Sequence, residues 1–384
     1  VNLRGSLRRV IGPRLRRHPR LWHGAIAADA ALERARGSAA RVLPGLIRAE
    51  PRSVDVAVTA RCNLRCLGCR YGRDFMPGAE LSLPMVRDLL DDAAEAGLWS
   101  VRLYGGEPLL HPELPAMVAH ACARGLQVYV TTNGLLLERR IDELVAAGLR
   151  QVTIGYYGTD AHYDAYVQRR DRFRMLERGI AAVRERHGSA VSMRINWLLM
   201  RPSCNLEDLA AALSFARRYE LRIQVDLVHY SLPYFTEGED RALQFRPEDR
   251  TAIDVVVAEL LRQKRAEPGR FNQSEAGLRS IPLWLLLGPG MRVPCDAGKM
   301  LWVGADGSVQ LCYVTFPLGN LHEQRLRTML FTPAHHAAAR SAWALDCPNC
   351  HCGYDVRVAR SPAAVRAAAA APLAVTSRGR SGSA

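Results

Sequence analysis

The chain has 384 residues, 48% apolar and 23% charged, with a formal net charge of +14. That is enough chain to bury a core in one large or two smaller domains, and the composition excludes wholesale disorder, a collagen-like fibre and a small disulfide scaffold. No stretch approaches the roughly 20 apolar residues of a membrane span. The longest apolar run, Ile281–Leu287, is broken by Pro282, and the basic start lacks the apolar segment of a secretory signal, so a cytoplasmic protein is expected.

The positive charge is not spread evenly. Residues 1–50 carry eleven arginines against Asp29, Glu33 and Glu50, residues 361–384 add three arginines and no acid, and the 310 residues between them keep a net charge of only +3. Basic ends of this kind are solvated termini, or they meet an acidic partner, RNA or an anionic surface. Residues 1–50 read as short basic helical pieces broken by Pro13, Pro19 and Pro44.

From Val54 the pattern becomes a regular alternation. Strands are expected at Val54–Thr59, Ser100–Leu103, Gln127–Thr131, Gln151–Ile154, Ser192–Leu199 and Arg222–Val228. Between them lie helical patterns at Leu83–Ala96, Glu113–Arg124, Leu135–Ala147, Phe173–His187 and Leu206–Tyr219. Gly97, Gly125, Gly148 and Gly188 stand where left-handed helix caps belong. Six strand–helix units imply parallel strands joined by right-handed crossovers, in an open doubly wound sheet or a barrel; periodicity does not choose between the two. A further helix is expected from about Glu248 to Arg265. After a less regular stretch, Met300–Val303 and Val309–Val314 flank Gly304–Gly307 as a hairpin. The Ala-, Ser- and Arg-rich tail from Ser361 reads as disordered.

Eight of the ten cysteines fall in two groups. Without a secretory signal, clustered cysteines point to metal rather than disulfides. The first group, Cys62-x3-Cys66-x2-Cys69, follows the first strand, at the carboxyl edge where parallel α/β folds place their sites. Three thiolates can wrap one side of a small inorganic centre and leave a position open. A zinc site with a fourth ligand nearby and simply packed thiols remain alternatives. One strand–helix unit later comes Gly105-Gly106-Glu107-Pro108, where glycines permit close backbone approach and a carboxylate can accept from an ammonium group.

On these two motifs the chain resembles the radical S-adenosylmethionine (radical SAM) superfamily over about residues 54–230. The resemblance implies a partial (β/α)6 TIM-like barrel. It also implies that Cys62, Cys66 and Cys69 hold a [4Fe–4S] cluster whose open iron chelates S-adenosylmethionine (SAM), and that reductive cleavage yields a 5′-deoxyadenosyl radical which takes a substrate hydrogen. An electron donor such as flavodoxin or ferredoxin is implied. Gly105, Gly106 and Glu107 are expected at the methionine amino group, Thr132 and Asn133 on the site wall, and Arg194 and Asn196 at the SAM carboxylate and ribose. Two departures stand out. Gly68 replaces the aromatic common before the third cysteine, with Tyr71 as a substitute. Gly155-Tyr156-Tyr157-Gly158 replaces a Ser-x-Asp-Gly pattern, which puts a phenol, Tyr157, toward the cavity as a substrate-binding or hydrogen-donating group.

The second group comprises Cys295, Cys312, Cys347 and Cys350, with Cys352 as a spare thiol and His351 as a loop residue. Four thiolates brought together by a hairpin and a C-x2-C turn make a closed zinc site or an iron–sulfur centre. The layout resembles the auxiliary-cluster extensions of radical SAM enzymes, called SPASM when long and twitch when short, and nearer the twitch form here. The resemblance implies an auxiliary [4Fe–4S] cluster that accepts an electron from the substrate radical. Cys204, after the fifth strand, is a candidate hydrogen-atom donor, although Ser203-Cys204-Asn205 with Asp208 also reads as an ordinary helix start. Cys122 is expected in the core, and His229 and Tyr230 are pocket candidates.

The expected organisation is a basic segment (1–50), a radical SAM barrel (51–285), an auxiliary-cluster region (286–360) and a tail (361–384). The expected activity is that of an oxidoreductase acting on a sugar- or aminocyclitol-like metabolite or a ribosomal peptide. A redox-neutral epimerase or peptide maturase is the alternative, and a zinc-dependent nucleic-acid-binding protein the distant one.

Overall fold

The computed structural model describes residues 18–71, 73–232, 235 and 242–370. The expected series is present: β1 (Ser53–Thr59), β2 (Ser100–Gly105), β3 (Gln127–Thr132), β4 (Gln151–Tyr156), β5 (Ser192–Leu199) and β6 (Arg222–Leu227). Helix α1 (Pro19–Ala39) precedes them; α2 (Leu83–Glu95), α3 (Leu114–Ala123), α4 (Leu137–Ala146), α5 (Asp160–Val167), α6 (Arg172–His187) and α7 (Leu206–Arg218) lie between them. Beyond β6 come α8 (Arg250–Ala266) and α9 (Glu275–Leu287). The strands β7 (Met300–Val303), β8 (Ser308–Gln310) and β9 (Pro317–Asn320) follow, and then α10 (Leu326–Met329), α11 (Pro333–Ala344), α12 (Tyr354–Arg360) and α13 (Pro362–Ala370).

All nine strands form one sheet in the order β6-β5-β4-β3-β2-β1-β7-β8-β9. β1 to β6 are parallel neighbours in sequence, and β6 does not pair with β1, so the barrel is partial and open. The outward faces of these strands bury Val54, Val56, Leu103, Val130, Ile154, Ile195 and Val225 under the helices. Their inward faces carry polar and charged residues instead: Asp55, Arg102, Thr131, Thr153, Arg194 and Asp226.

Five differences from the sequence expectation have physical reasons. α5 was not anticipated; it presents Tyr163, Tyr166 and Val167 to the core, a short pattern with little amphipathic period. α9 runs through Pro282, which removes one helix hydrogen bond, because Leu278, Ile281 and Trp284 are fully buried along it. Residues 19–39 form one 21-residue helix with Pro19 in its first turn, where proline is tolerated, rather than broken pieces; Pro13 lies outside the described residues. Residues 362–370 are helical rather than disordered, and the tail beyond them lies outside the described residues. Lastly, the expected second hairpin strand, Val309–Val314, is only Ser308–Gln310, and the chain turns again into β9.

β7 pairs in parallel with β1, from Ser53↔Met300 to Val56↔Val303, so the cysteine-bearing region extends the barrel sheet. Side chains reinforce that seam. The Trp302 indole N–H donates to the Tyr104 hydroxyl, and the Tyr313 hydroxyl donates to Asp55 while accepting from Arg102 at 2.9 Å. On the far side the Tyr354 hydroxyl donates to the Val225 carbonyl at 3.1 Å, and His351 Nε2 lies 3.0 Å from the Leu227 carbonyl.

Candidate active site

The turn after β2 approaches the end of β1 so closely that only glycine fits. A Cβ on Gly105, whose φ is +147°, would lie 2.2 Å from the Thr59 carbonyl oxygen, and one on Gly106 would lie 2.3 Å from that of Arg61. In return, Gly106 N–H donates to Thr59 O and Glu107 N–H to Arg61 O, both at 2.8 Å. This clamp fixes where the Cys62–Cys69 loop leaves β1. The loop is then held on α5 by Leu67 N–H to Tyr166 O at 2.9 Å, and on Asn133 through an amide–amide bond to Asn63 at 2.7 Å. Neither α5 nor Asn63 was expected to serve the site. The Asn63–Asn133 pairing links residues 70 apart, which no local pattern signals.

Cys62, Cys66 and Cys69 line one cavity of about 800 Å³, together with Cys295, Cys312, Cys347, Cys350 and Cys352. All ten cysteines are free thiols. Burial pushes the first three thiols up, Cys62 to about 12, so their thiolate forms need a neighbouring cation such as iron. Among the described residues, no three His, Cys, Asp or Glu side chains converge as they would around one metal ion.

The other expected residues divide. Gly105, Gly106, Thr132, Asn133, Arg194, Asn196 and Tyr157 are on the cavity wall. The Asn196 side-chain oxygen is buried without a hydrogen-bond partner, a vacancy that a bound polar ligand would satisfy. Arg194 donates through Nε to Thr153 at 2.7 Å and lies 5.4 Å from the Tyr129 ring centre. Tyr157 stacks on Tyr166 at 4.3 Å, and its hydroxyl would lie 2.5 Å from a Cβ on Gly155. The two departures in this motif are therefore sterically linked, since a side chain at 155 would meet the Tyr157 hydroxyl unless the ring shifted. Tyr71 also lines the cavity and meets Phe75 edge-on at 5.2 Å.

Glu107 and Cys204 are placed differently from expectation. Glu107 is fully buried off the wall, and its carboxylate accepts from Leu109 N–H at 3.0 Å, the Thr132 hydroxyl at 2.6 Å and Asn133 N–H at 2.8 Å. It braces the loops and does not face the cavity. Cys204 is 5% exposed in the apolar core and off the cavity wall, and Asn205 caps α7 by accepting from Asp208 N–H at 2.8 Å. The ordinary helix-start reading is the one observed. Cys122 packs its sulfur against Gly148.

A buried cation lies beside the second thiol group. Arg357 is 2% exposed, and its guanidinium donates to the carbonyls of Cys350 and Val293 and to Asn349, with no carboxylate partner among the described residues. An unpaired buried guanidinium is costly unless a negative group lies near it, and thiolates on an anionic iron–sulfur cluster would supply that charge. Cys350 is held down to about 7 by donation from Cys352, with Arg357 adding to it. Cys352 stands 3.7 Å from His229 Nε2, so the spare thiol shares the cavity with the expected four. His351 is more than a loop residue: it is buried and ties this turn to the end of β6. His229 also lines the cavity, with its ring 4.1 Å from that of His351.

An open parallel barrel, a three-thiol loop after its first strand and a glycine clamp beside that loop are the arrangement that the resemblance to radical SAM enzymes implies. Residues 56–216 match the model of the Radical SAM superfamily. GTP 3′,8-cyclase 2 of Mycobacterium tuberculosis is 30% identical over 313 residues, covering 75% of this chain and 80% of that protein. GTP 3′,8-cyclase of Chlorobaculum tepidum is 33% identical over 178 residues, 45% of this chain and 53% of that protein. Among solved structures, native anSMEcpe with bound AdoMet superposes with a TM-score of 0.60 at 16% identity, over 84% of this chain and 100% of that one. Streptococcus suis SuiB does so with a TM-score of 0.58 at 16% identity, over 79% and 70%. The chain belongs to the radical SAM superfamily. It is an iron–sulfur enzyme whose cofactors are a [4Fe–4S] cluster and SAM. Among the described residues, no helix is long and apolar enough to cross a membrane.

Proposed function

We propose that the chain is a radical SAM oxidoreductase acting on a small polar molecule, in which residues 286–360 form an auxiliary-cluster region grafted onto the barrel of residues 51–285. The observation that carries this reading is that both thiol groups line one cavity. In this reading Cys62, Cys66 and Cys69 hold the SAM-binding cluster, and Cys295, Cys312, Cys347 and Cys350 an auxiliary one. A reduced [4Fe–4S] cluster held by the first three thiolates would supply the electron for reductive cleavage of SAM.

The protein's own residues bind and orient. Gly105 and Gly106 present backbone close to the SAM amino acid, and the free Asn196 oxygen accepts from its polar groups. Tyr157 and Tyr166 wall the pocket, with Tyr163 packed against Tyr157 behind the wall, and exclude water from it. Asp55, Arg102, Arg194 and Asp226 along the barrel interior favour a substrate with both hydroxyl or amino and anionic groups. The ten free thiols suit a reducing, cytoplasmic setting.

A second reading, cyclisation of a purine nucleotide, is favoured by the identity to the GTP 3′,8-cyclases and by Arg102 and Arg194 on the barrel interior. A peptide substrate is the third, since the neighbours include anSMEcpe with a bound peptide and SuiB bound to its precursor peptide. The test is 5′-deoxyadenosine formation by anaerobically reconstituted protein, with Cys66→Ala as control. It is run with panels of deuterated polyols and amino sugars, GTP and peptides. Deuterium arriving in 5′-deoxyadenosine from one panel names the substrate class. An oxidised product supports the oxidoreductase, and solvent hydrogen entering an otherwise unchanged substrate overturns it in favour of epimerisation.

A further inference from the structure

Cys295 lies on two cavities at once. It lines the large one with the other cysteines, and it also lines a separate outer cleft of about 190 Å³ between α1, the turn after it, α11 and the start of α13. The mouth of this cleft is basic. Its acids Glu33, Glu50 and Asp296 are each already paired, with Lys299 and Arg52, with Arg36 at 2.5 Å, and with Arg360 respectively. Arg34, Arg41 and Arg48 are exposed on the same lining and meet no acid among the described residues. The charge is felt locally: burial lowers the pKa of His336, and Arg48 and Arg340 lower it further.

The same segment exposes apolar side chains. Leu32 is 56% exposed, Val42 81% and Leu43 61%. Arginines interleaved with exposed aliphatics are the composition of a protein-binding surface. α1 has little amphipathic period over Pro19–Ala39 and carries two acids, Asp29 and Glu33, whereas a lipid-binding helix opposes a strong apolar stripe to a basic face.

We propose that α1 and the turn to Arg48 form the docking surface for a small acidic one-electron carrier, a flavin or iron–sulfur protein, placed to receive an electron at the Cys295 side of the auxiliary site. This rests on the auxiliary-cluster reading above. Such a partner suits the electron count, in which the electron that leaves equals the one that enters. One electron enters for each SAM cleaved, and the substrate radical then loses one electron and one proton to become the oxidised product. The proton passes to solvent, and the electron reduces the carrier's oxidised centre by one.

The experiment uses the full chain, reconstituted and shown by iron content and EPR to hold two clusters, with oxidised flavodoxin as probe. Calorimetric titration at about 50 mM salt is expected to show binding that weakens at least about tenfold at about 300 mM. The Arg34→Glu/Arg41→Glu/Arg48→Glu variant should lose about tenfold or more, as should Leu43→Asp, which keeps the arginines. Arg262→Glu, on α8, should bind normally, and each variant's fold and iron content are checked first. Stopped-flow semiquinone formation from the reduced enzyme should slow in the same two variants. Equal binding by the charge-reversed and unaltered proteins overturns the proposal, as does binding to anionic vesicles or RNA with none to flavodoxin. If the protein holds only one cluster, the auxiliary reading itself has failed; two clusters without carrier binding sink the docking surface alone.

Discussion

The Thr132 hydroxyl donates to a Glu107 carboxylate oxygen at 2.6 Å, joining the turn after β2 to the end of β3. With the N–H groups of Leu109 and Asn133 on the same carboxylate, three donors converge on a fully buried acid. Glutamine offers one acceptor oxygen and turns an NH2 toward a donor. Glu107→Gln is therefore expected to cost about 1–3 kcal/mol in denaturant titration, and more than Thr132→Val, which leaves both N–H bonds. Burial pushes Glu107 up to about 7 from 4.5, against the pull of its donors. The folded state thus keeps a proton that the unfolded chain releases, and this contribution to stability fades as pH rises from 4.5 through 7. Unfolding curves of Glu107→Gln across that range should lack the decline.

Gly106→Ala tests the clamp on β1. Its Cβ would fall 2.3 Å from Arg61 O and 2.5 Å from Ala60 O, backbone atoms that can yield only by moving the cysteine loop. A loss of about 1–3 kcal/mol is expected from the overpacking. Iron content should fall to about half, because the second thiol group is untouched. Retention of all the iron would mean the loop tolerates displacement.

Asn196 separates fold from ligand. Its buried oxygen has no partner, so Asn196→Ala removes an unsatisfied group and should shift stability by less than about 1 kcal/mol. SAM affinity, measured by equilibrium binding to reconstituted protein, should drop about tenfold.

Arg357 is the cation behind the second thiol group. Arg357→Met removes the charge while keeping part of the contact with Trp284, whose ring lies 4.7 Å from the guanidinium carbon. The three acceptors left behind, Cys350 O, Val293 O and Asn349, predict a loss of about 3 kcal/mol. An EPR-monitored redox titration should place the auxiliary centre at a lower potential, since a nearby positive charge favours the reduced form.

Glu33 anchors α1 to the sheet region through Lys299 and Arg52. Burial alone would raise its pKa, but the Lys299 hydrogen bond and the charges of Lys299, Arg52 and Arg360 bring it down to about 2 from 4.5. The stability it contributes is whole above 4.5 and is lost as pH falls from there toward 2. Hydrogen exchange over residues 19–39 should accelerate in that window before the strands β1–β6 are affected.

Much of this architecture can be read from local pattern. Strand β5 and the start of α2 fall where the sequence pattern puts them, and the cysteines of both groups line one cavity. What local pattern does not carry is which way a side chain turns once distant segments assemble. Glu107 and Cys204 sit in sequence positions that suit a site, yet one faces Thr132 and the other the apolar core. The parallel pairing of β7 with β1 joins residues some 247 apart, and nothing in the Met300–Val303 run distinguishes a free hairpin strand from a ninth member of the sheet. α5 has little amphipathic period to signal it, although its Tyr166 carbonyl holds the cysteine loop.

That central strand has one more consequence. β1 ends in the first thiol loop and is hydrogen-bonded along its flank to β7, whose hairpin leads to Cys312. Tunnelling between redox centres weakens exponentially with separation, so a hinge between the two regions would make the transfer rate swing with every thermal excursion. A continuous ladder across the seam denies the protein that hinge. Were both thiol groups to carry clusters as proposed, electron transfer between them should accordingly be insensitive to solvent viscosity.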